Sequence, residues 1–191
     1  MSFANSVFVR TFGRPQGILG SLGGSIMARM NKRMAQQAIE LLDIHSSDRV
    51  LEIGFGPGVG IEILASIVSS GSVAGIDPSE VMLRQASARN ATDIEARKVE
   101  LSRRSAESLP YDNSTFDAAM AINSMQLWSD TVAGLQEARR ILRPGRRIAL
   151  CFTPHSGQVK EDVEETLRST GFADVRVVDV GDGFCVLAVR P

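Results

Sequence analysis

Apolar residues fall into two alternating periods along the chain. Short continuous runs at residues 50–53, 73–76, 116–122 and 147–152, and a weaker one at 98–101, have the length and flanking turns of buried strands. Between them, residues 60–68, 79–90, 131–142 and 159–169 carry apolar positions at helical spacing. Gly71 stops the first of these helices, and Pro78-Ser79 opens the second. Arg143-Pro144-Gly145 ends the third, and Gly171 the fourth. Ahead of them all, Leu22, Ile26, Met30, Met34, Ala38 and Leu41 or Leu42 predict one more helix with a single apolar stripe, closed by the polar stretch 43–48.

The end of the chain breaks this alternation. Two strand-like runs, 175–180 and 184–189, are separated only by Gly181-Asp182-Gly183, a link too short for anything but an antiparallel hairpin. Five strand–helix units therefore predict a parallel α/β sheet whose last strand inserts antiparallel. No internal repeat or low-complexity tract interrupts it.

Composition adds bounds. The 191 residues suffice for one domain with a full core, and 43% hydrophobic with 23% charged residues is ordinary for a globular chain. No apolar run approaches the length of a membrane span, and the expected location is cytoplasmic. Cys151 and Cys185 lie in apolar runs without metal-ligand spacing, so two reduced core cysteines and no metal site are expected. The net charge of −1 hides an asymmetry. Residues 1–39 contain no Asp or Glu but carry Arg10, Arg14, Arg29, Lys32 and Arg33, and the remainder carries all 22 acids. The expected organisation is a basic arm and capping helix over residues 1–43, followed by a domain over 44–191.

The chemistry starts at Gly54-Phe55-Gly56-Pro57-Gly58, directly after the first strand. Closely spaced glycines let backbone approach a ligand that a Cβ would exclude. Asp77, at the tip of the next strand, is placed to accept ribose hydroxyls. The pair implies a nucleoside-containing cofactor. A dinucleotide fingerprint fails, because its third glycine would fall on Val59 or Ile61, and Pro57 removes an N–H that a pyrophosphate would use. No phosphate-binding Gly-Lys-Ser/Thr follows.

The stretch 50–58 (Val-Leu-Glu-Ile-Gly-Phe-Gly-Pro-Gly) closely resembles the first motif of the class I S-adenosylmethionine-dependent methyltransferases. So do Gly75-Ile76-Asp77-Pro78-Ser79-Glu80-Val81-Met82, Ala106-Glu107-Ser108-Leu109-Pro110-Tyr111, Ser114-Thr115-Phe116-Asp117 and Leu142-Arg143-Pro144-Gly145, in that order. The chain resembles in particular the small-molecule branch that includes the ubiquinone/menaquinone-pathway enzymes. The resemblance implies a Rossmann-like seven-stranded sheet of order 3-2-1-4-5-7-6 with helices on both faces, and S-adenosylmethionine as cofactor. It further implies that Gly54, Gly56, Pro57 and Gly58 pack against the methionine portion, with Glu52 near its amino group. Asp77 would hold the ribose, Pro78 and Met82 would sandwich the adenine, and Ala106 and Glu107 would edge it. Asn123 and Ser124 would border the transferable methyl.

The acceptor is less legible. Asn123-Ser124-Met125-Gln126-Leu127-Trp128 is not the Asn/Asp-Pro-Pro-Tyr of enzymes resembling this fold that methylate nucleic-acid amines, and aromatics are only 5%, so nucleic acid is not the expected partner. Relatives often place a histidine before the tryptophan, where this chain has Leu127. His155, after the fifth strand, is the one weak catalytic candidate, with Tyr111 and Asp130 weaker still and His45 at the wrong end of the sheet. The expected reaction is methyl transfer to a small-molecule or lipid-like acceptor. The alternatives are a membrane-surface enzyme acting on a phospholipid or quinone precursor through residues 1–33, and a non-catalytic cofactor-binding partner subunit.

Overall fold

The computed structural model describes residues 32–181 and 183–191. Leu22, Ile26 and Met30 of the predicted stripe, and the basic arm, lie outside the described residues. What is described begins with a helix over residues 32–42, α1. Then follow β1 (Arg49–Ile53), α2 (Val59–Ile67), β2 (Ser72–Ile76), α3 (Glu80–Arg89), the short α4 (Ala91–Glu95) and β3 (Val99–Ser102). The second half runs β4 (Phe116–Ile122), α5 (Thr131–Ile141), β5 (Leu142–Phe152), α6 (Lys160–Ser169), β6 (Ala173–Val180) and β7 (Gly183–Val189).

The seven strands form one sheet of order β3-β2-β1-β4-β5-β7-β6. Neighbours are parallel as far as β5, and β7 runs antiparallel to both β5 and β6. This is the Rossmann-like arrangement expected, with the hairpin where the Gly-Asp-Gly link demanded it.

Strand alternation divides the core into two layers. Val50, Val73, Ala118, Met120, Cys151 and Leu187 pack on one face against Met34, Ala35, Ala38 and Leu42 of α1, Ile61 and Leu64 of α2, and Met82 and Ala86 of α3. Leu51, Ile53, Ile76, Ala119, Ile148, Leu150 and Val186 pack on the other against Leu135, Ala138 and Ile141 of α5 and Val163 and Leu167 of α6. Truncating any large member of these layers to alanine costs about 2–5 kcal/mol.

Three expectations need correction. Leu142 was expected to end a helix, but it opens β5: it is fully buried and pairs with Phe116 before the register shifts to Ala118↔Arg147. The Arg-Pro-Gly stretch is thus an irregularity inside a strand. It is pinned because the buried carboxylate of Asp117 receives Arg143 at 2.5 Å, Arg146 at 3.2 Å and the N–H of Arg49 at 3.0 Å. The short helix α4 fills a stretch that had no predicted element. Cys151 and Cys185 are not reduced thiols but form a disulfide, with Cα atoms 4.0 Å apart on directly opposed residues of β5 and β7. Their separation of 34 residues concealed this, because only the hairpin's register brings them face to face.

Candidate active site

The site assembles at the carboxyl ends of β1, β2 and β4, where parallel α/β sheets leave a crevice. β1 ends at Ile53, and the chain then turns through three glycines with positive φ: Gly54 (80°), Gly56 (53°) and Gly58 (81°). Each meets a different neighbour. A Cβ on Gly54 would stand 2.4 Å from the Ser124 Cβ, and one on Gly58 would stand 2.7 Å from the Ala86 Cβ on α3. A Cβ on Gly56 would meet nothing within 4 Å, so this glycine faces open space. Two glycines close the turn against protein, and the third leaves room for a ligand.

Asp77 ties β2 to this turn. One carboxylate oxygen accepts the Gly56 N–H at 3.0 Å, and the other accepts the Ser79 N–H at 2.8 Å. Burial pushes its pKa up to about 6, against the opposing pull of those two N–H groups. Glu52, one residue before the end of β1, is 3% exposed and fits beside Gly60 of α2, where a Cβ would lie 2.4 Å from its Oε1. Burial first, and the nearby Asp77 second, hold its carboxyl well above the ordinary range, while the Ile61 N–H pulls the other way. Its Oε2 is buried without a hydrogen-bond partner. An orphaned buried carboxylate oxygen is costly unless a donor arrives.

The turn is braced from α3. Arg89 donates to the Pro57 carbonyl at 3.0 Å, and the Asn90 amide donates to the Gly58 carbonyl at 3.2 Å. On the β4 side, the Ser124 hydroxyl donates to the Ile53 carbonyl at 2.6 Å. Asn123 takes a left-handed φ of 48°, which an Asn tolerates better than most residues. Its side-chain oxygen accepts the Thr153 N–H at 2.8 Å and the Thr153 hydroxyl at 3.2 Å, joining the ends of β4 and β5.

The structure therefore brings together Glu52, the turn 54–58, Asp77, Asn123 and Ser124. Pro78 is exposed beside them. Met82 and Ala106 are each 3% exposed and contribute to opposite core layers. Glu107 faces the start of α5. Burial would raise its pKa, but the Asp130 N–H and the Ser129 hydroxyl are among the donors that overcome this and lower it to about 2. Asp130 caps α5 through the Ala133 N–H, and Tyr111 packs edge-on to Phe116, 4.9 Å between centroids, at the start of β4. His155 sits on the turn after β5. Sequence reasoning missed Gly60, whose lack of a Cβ admits the Glu52 carboxylate, and the bracing pair Arg89 and Asn90. Among the described residues no three His, Cys, Asp or Glu gather to hold a metal ion, and no helix is long and apolar enough to cross a membrane.

Comparison with known proteins shows the family and the fold. Residues 50–145 match the family described as methyltransferase domain. An uncharacterized methyltransferase of Bacillus subtilis, YdaC, is 29% identical over 161 residues, 84% of this chain and 87% of that protein. The ubiquinone/menaquinone biosynthesis C-methyltransferase UbiE of a Geobacter is 26% identical over 122 residues, covering 63% and 52%. The crystal structure of an S-adenosylmethionine-dependent methyltransferase from Aquifex aeolicus superposes with a TM-score of 0.77 at 22% identity, covering 86% and 93%. The chain belongs to the methyltransferase-domain family and is a class I S-adenosylmethionine-dependent methyltransferase.

The residues present fit that cofactor. The orphaned Glu52 oxygen suits an ammonium donor, the space over Gly56 suits a close-lying chain, and Asp77 presents two acceptor oxygens at the tip of β2.

Proposed function

We propose that this chain methylates a small-molecule acceptor held at the carboxyl edge of the sheet, beside Asn123. The observation that carries the reading is the orphaned Glu52 oxygen at the floor of a turn that Gly56 leaves open. When bound, the sulfonium donor supplies an electrophilic methyl, which leaves the protein the work of positioning and desolvation. Glu52 would hold the ammonium end, Asp77 the ribose hydroxyls, and the backbone of 54–58 the chain between them. Pro78 would lie against the adenine. Met82 would support it from the core, and Ala106 and Glu107 would border it only through the loop that Glu107 fixes. Asn123 and Ser124, which lock β1, β4 and β5 together, would border the methyl. His155 is the candidate to take up a proton released by the acceptor.

The basic N-terminal arm and capping helix, residues 1–43, are the proposed cover over the acceptor. The names of relatives support a small acceptor, since UbiE is a C-methyltransferase of quinone biosynthesis. The test is turnover of labelled S-adenosylmethionine with a panel of phenols, quinols and carboxylic acids, for the full chain and for a form lacking residues 1–30. Product from the full chain, lost on truncation while cofactor affinity persists, supports both claims. Tight cofactor binding with no product from any acceptor supports a binding-only subunit instead.

A further inference from the structure

Among the described residues, five side-chain oxygens are buried without a hydrogen-bond partner, one each on Glu52, Asn90, Ser102, Tyr111 and Gln126. Three of them belong to the packing of the fold. The Ser102 and Tyr111 hydroxyls lie beside each other, where either can turn a proton toward its neighbour. Asn90 closes α3 and braces the glycine turn, its amide nitrogen shared between the Gly58 and Ala86 carbonyls. Glu52 and Gln126 remain. Both stand at the carboxyl ends of the paired strands β1 and β4.

One bond joins those two ends. The Ser124 hydroxyl donates to the carbonyl of Ile53, which follows Glu52, and Gln126 comes two residues after Ser124. Gln126 lies in the single 3-10 turn Met125–Leu127, and its amide nitrogen donates to the Asn123 carbonyl at 2.9 Å. Only the nitrogen of that amide can donate, so this bond fixes which end is which and leaves Oε1 over. The turn is held on both sides. The Leu127 N–H donates to the Ser124 carbonyl at 2.9 Å, and Trp128 packs so closely on Gly134 of α5 that a Cβ there would stand 2.5 Å from its Cε3. Oε1 is therefore kept from water without a donor, a costly state that an arriving O–H or N–H relieves.

We propose that Gln126 Oε1 accepts a hydrogen bond from the methyl acceptor, which is thereby an alcohol, a phenol or an amine with its O–H or N–H at or beside the methylated atom. The inference rests on the methyltransferase reading above and adds the acceptor's class. Chemistry divides the two orphaned oxygens between two ligands. The carboxylate of Glu52 suits the ammonium of the cofactor, and the uncharged amide of Gln126 suits an uncharged donor. An amide oxygen takes up no proton at neutral pH, so Gln126 is a recognition residue that orients the acceptor beside Asn123.

The test uses the full chain saturated with S-adenosylhomocysteine and labelled for NMR of backbone and side-chain amides. Phenol, aniline and toluene are titrated separately; the first two carry a donor, and toluene has their shape without one. Phenol or aniline should shift the Gln126 side-chain amide and the backbone amides of Asn123 and Leu127, and should bind about tenfold or more tightly than toluene. In Gln126→Met that preference should shrink to within about twofold, with toluene unaffected and calorimetric affinity for S-adenosylhomocysteine within about twofold. Equal binding of all three probes to the unmodified chain, or no binding of any, would overturn the proposal whether or not the variant folds. So would a donor preference that survives in Gln126→Met. Weaker S-adenosylhomocysteine binding in the folded variant would give Oε1 to the cofactor and overturn the acceptor assignment. Failure of the unmodified chain to bind S-adenosylhomocysteine would instead strike the methyltransferase reading itself.

Discussion

The carboxylate of Asp77 accepts the backbone N–H of Gly56 at 3.0 Å, across 21 residues of sequence. That bond fixes the open member of the glycine turn to the tip of β2, so one side chain joins the two halves of the candidate site. Asp77→Ala leaves the N–H groups of Gly56 and Ser79 unpaired, a penalty of about 1–3 kcal/mol. S-adenosylmethionine affinity should fall by roughly tenfold or more, measured by calorimetry. An affinity unchanged in Asp77→Ala would remove Asp77 from the site.

The raised pKa of Asp77 gives a sign for pH. A carboxyl at about 6 in the folded chain, against 3.8 ordinarily, binds a proton more readily when folded. Its contribution to stability is therefore present at low pH and lost as pH rises through about 6, on the order of 2–3 kcal/mol. Ribose hydroxyls that donate to the carboxylate favour its charged form. Cofactor affinity should thus rise from pH 5 to pH 7, with proton release visible in calorimetry across buffers of different ionisation enthalpy. A flat profile would contradict hydroxyl donation to Asp77.

Glu107 separates binding from bracing. It accepts the Ser129 N–H at 2.7 Å and the Asp130 N–H at 3.1 Å at the entry to α5. Glu107→Gln should lower the melting temperature by a few degrees, as loss of a cap-like bond does, and leave cofactor affinity within about twofold. Because its pKa is depressed to about 2, its contribution exists above the ordinary carboxylate pKa and is lost as pH falls through about 2.

Gly58 tests the fold beneath the turn. A Cβ there would approach the Ala86 Cα at 2.8 Å, on a backbone with φ of 81°. Gly58→Ala should cost about 1–3 kcal/mol in denaturant unfolding. Gly56→Ala meets no atom and should be tolerated better in stability while weakening the cofactor.

The disulfide is directly countable. Protein unfolded without reductant should show no thiol reactive to Ellman's reagent, and two after reduction. Replacing both Cys151 and Cys185 by alanine should cost about 2–4 kcal/mol.

The sequence made the strands legible because β1, β2, β4 and the 148–152 end of β5 are buried on both faces and read as continuous apolar runs. The proposed cofactor half of the candidate site was legible for a related reason. Glu52, the glycines and Asp77 lie at strand tips, and a strand tip can be found by locating the end of a run. The residues that the sequence hid act across the fold. Gly60 reads as an ordinary helix residue until Glu52 is seen beside it. Arg89 and Asn90 read as a helix end until the glycine turn is folded onto them. Cys151 meets Cys185, and Arg33 meets Gly181, only through the β5–β7–β6 register. Met82 and Glu107 carry motif positions whose side chains are largely engaged by packing and capping.

Glu52, the turn 54–58 and Asp77 are proposed to hold S-adenosylmethionine. Calorimetric titration of the full chain and of Glu52→Gln tests this most directly, with circular dichroism to verify folding. One site per chain is expected in the unmodified protein, and at least about tenfold weaker binding in Glu52→Gln with the fold intact, because a charge-assisted bond to the ammonium is lost. Equal affinity in the two folded proteins, or no binding to the unmodified chain, would contradict that assignment.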